Sequence, residues 1–284
     1  MGIVIADFLL DDVVERALAE DLSGGDVTSA AAVAETERAV AKAVAHSPLV
    51  VCGGNVFARA FYKVDPGLRV EQRLTEGSRA KPGDVLWLAE GSARSILMAE
   101  RTALNFAQRM SGVATLTRAF VDAIPAGSQL RIADTRKTTP GLRFLERYAV
   151  RVGGGHNHRD CLGSAVLIKD NHIVAAGGIT AAIQRARAHA PHTSRIEIEV
   201  DTLEQLDEAL AAGAEIVLLD NFDSEALKAG VAKAKGRALV EVSGGITLSR
   251  VPELGNLSID VASVGALTHS APAADIGLDI ERLG

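Results

Sequence analysis

Cysteine is nearly absent: Cys52 and Cys161 are the two in 284 residues, far apart and in no C-x-x-C pattern. That argues against a disulfide framework or a thiolate zinc site and makes the cytoplasm the expected compartment. Long apolar runs are missing as well. The N-terminal patch from Ile3 to Leu10 is interrupted by Asp7 and follows no basic segment, so neither a signal peptide nor a membrane span is expected. No internal repeat or low-complexity tract is evident. Positive charge is in deficit too. A formal net charge of −6 and a pI near 5.7 argue against general nucleic-acid binding. What remains, 48% hydrophobic, is long enough for one large α/β domain or for a barrel with a smaller domain.

Against that acidic background one stretch stands out. From Arg131 to His172 there are eight Arg or Lys residues and four acids, a local excess of +4, so the remainder carries −10. Such a focus suits a polyanionic ligand, and Arg forks and Lys point charges match carboxylate and phosphate.

The first 110 or so residues and the rest differ in pattern. Asp11 to Asp21 reads as a helix with Val13, Val14, Ala17 and Leu18 on one face. Alternation around Ala39–Ala45 and Leu68–Leu74 reads as strands, with a Pro82-Gly83 turn following. That turn also suits a lipoyl- or biotin-carrier hairpin, but Lys81 lacks the usual flanks, and a structural turn is preferred. Ala93 to Ile124 reads as helical, with a break expected near Ser111-Gly112. Beyond Leu130, apolar runs recur at Leu130–Asp134, Val166–Lys169, Ile196–Asp201, Ile216–Asp220, Leu239–Ser243 and Val261–Gly265, with helical segments between most of them. A seventh strand is expected near Ala149–Val152. Thr202-Leu-Glu-Gln205 fits a capping box ahead of the stripe Leu203, Leu206 and Leu210. This alternation predicts a parallel sheet, and functional residue types at strand ends predict a β/α barrel.

The strand ends carry the chemistry. Ser243-Gly-Gly-Ile246 and Val264-Gly-Ala-Leu-Thr-His269 end the last two strands, where glycine amides can approach a phosphate. Glu199 and Asp220 end neighbouring strands and can hold Mg²⁺ or ribose hydroxyls; a salt bridge to a nearby cation is the plainer alternative, and Glu197, Asp201 and Glu241 could share the work. His156-x-His158 suits a metal hydrolase, yet later strand ends offer no histidine before His269, so a hydrogen-bonding His158 beside Arg159 is preferred. Cys161 has no implied base partner and reads as a packed or loop thiol. Taken alone, Arg101 reads as a solvated helix residue.

These motifs together are similar to the quinolinate phosphoribosyltransferase family, also called nicotinate-nucleotide pyrophosphorylase (carboxylating). The resemblance rests on Asp134-Thr-Arg-Lys-Thr-Thr-Pro-Gly-Leu, Tyr148-Ala-Val-Arg, Gly153-Gly-Gly-His-Asn-His-Arg, Val166-Leu-Ile-Lys-Asp-Asn-His, Glu197-Ile-Glu-Val-Asp, Leu218-Leu-Asp-Asn, Ser243-Gly-Gly-Ile and Ser263-Val-Gly-Ala-Leu-Thr-His-Ser, supported by Ala19-Glu-Asp-Leu-Ser-Gly-Gly-Asp-Val-Thr and the segment from Glu100 to Gly112. It implies an α/β sandwich domain over residues 1–111, joined by residues 271–284, and an open, incomplete seven-stranded β/α barrel over 112–270. It implies formation of nicotinate mononucleotide, pyrophosphate and CO₂ from quinolinate and phosphoribosyl pyrophosphate, with Mg²⁺ and no tightly bound organic cofactor. By the same resemblance, Arg136, His158, Arg159 and Lys169 would grip the quinolinate carboxylates. Lys137 and Lys169 would face pyrophosphate, and Glu199 and Asp220 would hold ribose hydroxyls and Mg²⁺, directly or through water. Ser243, Gly244, Gly245, Gly265 and Ala266, with His269 nearby, would cradle the 5′-phosphate. A homodimer with shared sites is implied, further assembly being left open, with Arg101 reaching the neighbouring subunit's quinolinate. Ser164, the stretch Ala45–Tyr62 and the segment Val251–Ile259 depart from the family pattern. A relative of the same fold tied to molybdate transport would be expected to lack part of the Arg136/His158/Arg159/Lys169 set. A non-catalytic scaffold would have no reason to keep that set beside Lys137, Glu199 and Asp220.

Overall fold

A computed structural model describes residues 5–283; residues 3 and 4 of the apolar N-terminal stretch lie outside the described residues. The chain divides into two compact units. The first comprises Met1–Arg118, Thr138–Gly154 and Leu267–Gly284, the second Ala119–Lys137 and Gly155–Ala266. No helix among the described residues is long and apolar enough to cross a membrane.

The first unit opens with α1 (Asp7–Asp21) and α2 (Val27–Ala32), followed by β1 (Arg38–Ala45), β2 (Leu49–Val50) and α3 (Gly54–Val64). Then come β3 (Arg69–Gln72), β4 (Arg79–Ala80), β5 (Val85–Ser92) and α4 (Ala93–Asp122), the last running on into the second unit. Alternation puts Ala39, Ala41, Ala43 and Ala45 of β1 on the buried face. Phe57 and Phe61 of α3 and Trp87 of β5 form the aromatic core, with Phe57 at 4.9 Å from each of the other two rings. The last strand of the chain, Ile276–Arg282, completes this antiparallel sheet by pairing with β1 from Ala45↔Ile276 to Ala39↔Arg282.

The predicted break in α4 does not occur: the helix is continuous for 30 residues. Gly112 serves a close approach instead. A Cβ there would lie 2.0 Å from the Pro272 carbonyl oxygen, where the returning C-terminal segment crosses the helix. Gln108 anchors the same crossing, with its backbone carbonyl accepting from Ala274 N at 2.9 Å and its side chain donating to Ile276 O at 2.7 Å.

The second unit holds six parallel strands: β6 (Arg131–Ala133), β7 (Val166–Ile168), β8 (Ile196–Val200), β9 (Ile216–Asp220), β10 (Leu239–Ser243) and β11 (Val261–Ser263), the C-terminal strand of the first unit being β12. All six match the expected apolar runs. Their order is β6-β11-β10-β9-β8-β7, so the first two strands in sequence stand at opposite edges with no ladder between them. The barrel is open. The seventh strand expected at Ala149–Val152 is instead the end of α5 (Arg143–Val152), a helix of the first unit that buries Leu145, Tyr148, Ala149 and Val150. The segment that returns to the second unit makes one isolated parallel bridge to the end of β6, Ala133↔His156.

Helices α6 (Asp170–Ala176), α7 (Ile179–His189), α8 (Leu203–Ala211), α9 (Ser224–Ala234) and α10 (Val251–Gly255) punctuate this sheet, and a short α11 (Ala266–His269) follows β11. The Thr202 hydroxyl caps α8 by accepting from Gln205 N at 3.2 Å. The reciprocal half of the expected capping box differs: the Gln205 side chain accepts from Asp201 N at 2.7 Å, one residue before the cap.

A prediction concerns the helix crossing. Gly112→Ala should destabilise the protein by about 1–3 kcal/mol or more, since backbone rather than a movable side chain must give way. A wild-type midpoint in urea unfolding would show that the crossing tolerates a methyl group.

Candidate active site

Period-two alternation explains how the site is built. On β8, Ile196, Ile198 and Val200 are buried in the sheet packing, and the intervening Glu197 and Glu199 share the opposite face. On β9 and β10 the corresponding residues are Leu218, Asp220, Glu241 and Ser243. Register aligns them: Glu199 pairs with Leu218, Glu241 with Leu218, and Ser243 with Asp220. With Leu167, Lys169 and Ser263 they line a cavity of about 550 Å³ at the strand C-terminal ends.

The cationic side of the cavity comes from two loops. Arg136 and Lys137 follow β6, and His158 and Arg159 follow the bridge at His156. Asp134, fully buried, ties the two loops together. Its carboxylate accepts from His158 N at 2.8 Å and from Asn157 Nδ2 at 2.5 Å. Sequence reasoning counted Asp134 among the acids without giving it this role. Arg159 donates to Ala165 O at 3.1 Å. Burial, and next the charge of Arg136, push its guanidinium below the ordinary value. Two guanidiniums held near enough to repel suit a ligand with more than one negative charge.

Beneath them lies a buried cluster. His158 Nε2 is 3.3 Å from carboxylate oxygens of both Glu197 and Glu241, and Ser263 Oγ donates to Glu241. Burial alone would lower His158, but hydrogen bonds and attraction from Glu197 and Glu241 outweigh it and raise it from 6.5 to about 10. Burial also raises Glu197, opposed by His158 and reinforced by Glu241. Nδ1 meanwhile accepts the Arg159 backbone N–H at 2.7 Å. The extra proton therefore belongs to the shared Nε2–carboxylate cluster rather than to Nδ1. Both ring nitrogens are thus engaged within the protein. The period-two step back from Glu199 and from Ser243 was the signal for this pair. Its pairing with His158 required the register.

Glu199 forms an ion pair with Lys169, so the plainer alternative for this carboxylate is part of the structure, within the same cavity. Asp220 is raised by burial, then by Glu199 and Asp201, with Lys169 and Lys137 opposing. Excess carboxylate charge here fits a hard cation with oxygen ligands. Ser243, Gly244 and Gly245 complete this side, the two glycines at φ 86° and 57°. Gly265 and Ala266 follow β11 without lining the cavity. Arg101 and His269 belong to the first unit. There Arg101 is exposed and shares a concavity of about 250 Å³ with Glu20, Asp21, Asn105 and Arg109, and His269 Nδ1 lies 2.6 Å from Ser270 Oγ. His156 contributes its backbone to the bridge, and Cys161 is an exposed loop thiol.

An open βα barrel whose mouth combines clustered cations, strand-end carboxylates and a glycine turn defines a phosphate-handling enzyme class. Within that class, the chain belongs to the quinolinate phosphoribosyl transferase family: the model of its N-terminal domain matches residues 26–111 and that of its C-terminal domain residues 113–279. It is 45% identical over 276 residues to the nicotinate-nucleotide pyrophosphorylase [carboxylating] of Mycobacterium leprae, covering 95% of this chain and 96% of that one. Its identity to the human protein of the same name is 40% over 284 residues, covering 99% and 94%. The crystal structure of NadC from Streptococcus pyogenes superposes with a TM-score of 0.95 at 38% identity, covering all of both chains.

The buried cluster makes a prediction. His158→Ala leaves two carboxylates facing each other and should cost about 3–5 kcal/mol near pH 8. In the variant, part of that penalty is relieved on acidification as Glu197, which burial already raises, takes up a proton. In the unaltered protein the raised group stabilises fully below its ordinary 6.5, and that contribution is lost as pH rises through about 10. Urea unfolding of both proteins across pH checks the sign; a pH-independent difference would contradict the cluster's shared charge.

Proposed function

We propose that this protein joins quinolinate to phosphoribosyl pyrophosphate, releasing pyrophosphate and CO₂ and forming nicotinate mononucleotide for NAD biosynthesis. One observation carries the reading beyond family membership: a single cavity holds Arg136, Lys137, His158, Arg159 and Lys169 together with Glu199, Asp220 and the Ser243–Gly245 turn. An aromatic diacid and a sugar bearing three phosphate groups need both halves of that set.

In this reading Arg136, Arg159 and Lys169 hold the two ring carboxylates. His158 supports them by accepting the Arg159 backbone N–H and so fixing where Arg159 lies. Lys137 and Lys169 face the leaving pyrophosphate. Glu199 and Asp220 hold the ribose hydroxyls and Mg²⁺, which supplies positive charge to the pyrophosphate oxygens when bound. Ser243, Gly244 and Gly245, with Gly265, Ala266 and His269, take the 5′-phosphate.

The pyridine nitrogen donates its lone pair to the anomeric carbon as the C–O bond to pyrophosphate breaks. Charge grows on the leaving group, and Lys137 in the cavity lining stabilises it. The ring nitrogen is then cationic. The C2–carboxylate bond breaks, CO₂ leaves, and its electron pair remains at C2 beside that cation until a proton from solvent replaces it. Alignment and fixed charge do this work without a covalent enzyme intermediate.

The reading includes a homodimer in which Arg101 reaches the neighbouring subunit's diacid, and it places the reaction in the cytoplasm, where free thiols such as Cys52 and Cys161 persist. Purified protein given both substrates and Mg²⁺ should release CO₂ and form nicotinate mononucleotide; a folded protein forming neither overturns the reading. Arg101→Ala and Arg159→Ala, each expected to be inactive, should regain partial activity when mixed as heterodimers. Absence of complementation despite demonstrated subunit exchange would remove the shared site.

A further inference from the structure

Among the described residues, Asn221 alone has a positive φ without being glycine, at 56°. It follows Asp220 directly and lines the cavity. Left-handed backbone costs an ordinary L-residue free energy; asparagine tolerates it better than most. A strained residue at the mouth of a site invites the question of what its side chain does there.

Three contacts answer. The Asn221 side-chain amide donates to Asp220 Oδ2 at 2.7 Å. Its backbone N–H donates to Ser243 O at 3.4 Å, across the register that pairs Ser243 with Asp220. Its Oδ1 occupies the space beside Gly244: a Cβ on that glycine would fall 2.2 Å from Asn221 Oδ1 and 3.1 Å from Asn221 N. Gly244 is itself left-handed at φ 86°. The residue after β9 and the turn after β10 are therefore fitted to each other, one by turning its chain inward and the other by lacking a side chain.

An Asp220 carboxylate unsupported on its flank would be free to rotate about its side-chain torsions. The carboxamide of Asn221 takes one oxygen and leaves the other available. The same contact fills the gap over Gly244, where a rotating turn would otherwise move. We propose that Asn221 is a positioning residue for the phosphoribosyl end of the cavity. It presents the Asp220 carboxylate and the Ser243–Gly245 turn to the ligand as one rigid piece. The inference rests on the function proposed above, because it assigns that end of the cavity to the sugar phosphate.

Two variants separate the side chain from the backbone. Asn221→Gly adopts the left-handed angle without strain and removes the amide. Asn221→Asp keeps the shape and removes the donor. Titration calorimetry with phosphoribosyl pyrophosphate and Mg²⁺ should show affinity weakened about 10-fold or more in both, the scale of one charge-assisted hydrogen bond. The KM for quinolinate should stay within about 2-fold and the thermal midpoint within a few degrees, as expected of a contact confined to one end of the site. Unchanged phosphoribosyl pyrophosphate affinity in Asn221→Gly overturns the proposal. So does an equal loss toward both substrates, or a collapse in thermal stability, since either makes the residue a general structural one. If the unaltered protein neither binds phosphoribosyl pyrophosphate nor forms nicotinate mononucleotide, the functional reading fails first.

Discussion

Charge inside a small barrel must be compensated where it stands, and the second unit is organised around that constraint. Burying an ion without a partner costs several kcal/mol. The interior-facing positions of β8 and β10 nonetheless carry Glu197 and Glu241, each almost fully buried. His158 answers both, Ser263 answers Glu241 again, and Asp134 is met by the backbone and side chain of the segment that delivers His158. The polar floor is therefore one connected network. Its satisfied state defines where the loop ending at Arg159 can lie, and so where the guanidinium sits.

Nearer the mouth, groups of like charge stand close together. Arg159 is pushed down by burial and by Arg136, and Asp220 is pushed up by burial and by Glu199 and Asp201. Like charges are thus crowded on each side of one cavity. Lys169 and Glu199 pair with each other within that cavity. A molecule carrying carboxylates and phosphates suits a cavity with cations on one side and carboxylates on the other. This is the preorganisation expected where charge is to be transferred in the reaction rather than merely bound.

Much of this was legible in residue order. The six barrel strands appear as apolar runs because parallel strands packed between layers leave few positions for polar residues. Lys169, Glu199, Asp220 and Ser243 lie at the ends of those runs and read as site residues on that ground, whereas Arg136, Lys137, His158 and Arg159 lie past them and joined the group through the local positive charge and the family motifs. The misplaced seventh strand has a simple origin: Ala149-Val-Arg-Val152 is too short an apolar run for period to separate strand from helix. Gly112 read as a helix break because glycine's local effect is visible in sequence, whereas the crossing backbone at Pro272 is not. The His158–Glu197–Glu241 cluster was out of reach for a related reason. Its members come from three separate segments, and only register and loop geometry bring their charged atoms together. Asn221 stood within the Leu218-Leu-Asp-Asn motif without a role of its own, because its importance lies in a backbone angle.

The interruption of the barrel by α5 has a physical counterpart in how that helix is held. The chain leaves the second unit after Lys137, forms α5 in the first unit, and returns at Gly155, so each cationic loop is continuous with one end of this helix. Within the first unit α5 is fixed by its own buried charge. Glu146, with no exposed surface, accepts from Arg109 at 2.7 Å and from the Thr139 hydroxyl and amide at 2.7 and 3.0 Å. Arg109 in turn donates to the carbonyls of Thr268 and Ala271, just past β11. Tyr148 reaches Glu76, whose carboxylate also accepts the Gly53 and Gly54 amides at the start of α3. An apolar helix could pack in many rotational settings, but one carrying a buried carboxylate is restricted to the setting that meets its arginine. The setting of α5 within the first unit is therefore fixed by polar contacts of its own, among them those that Thr139 makes to Glu146.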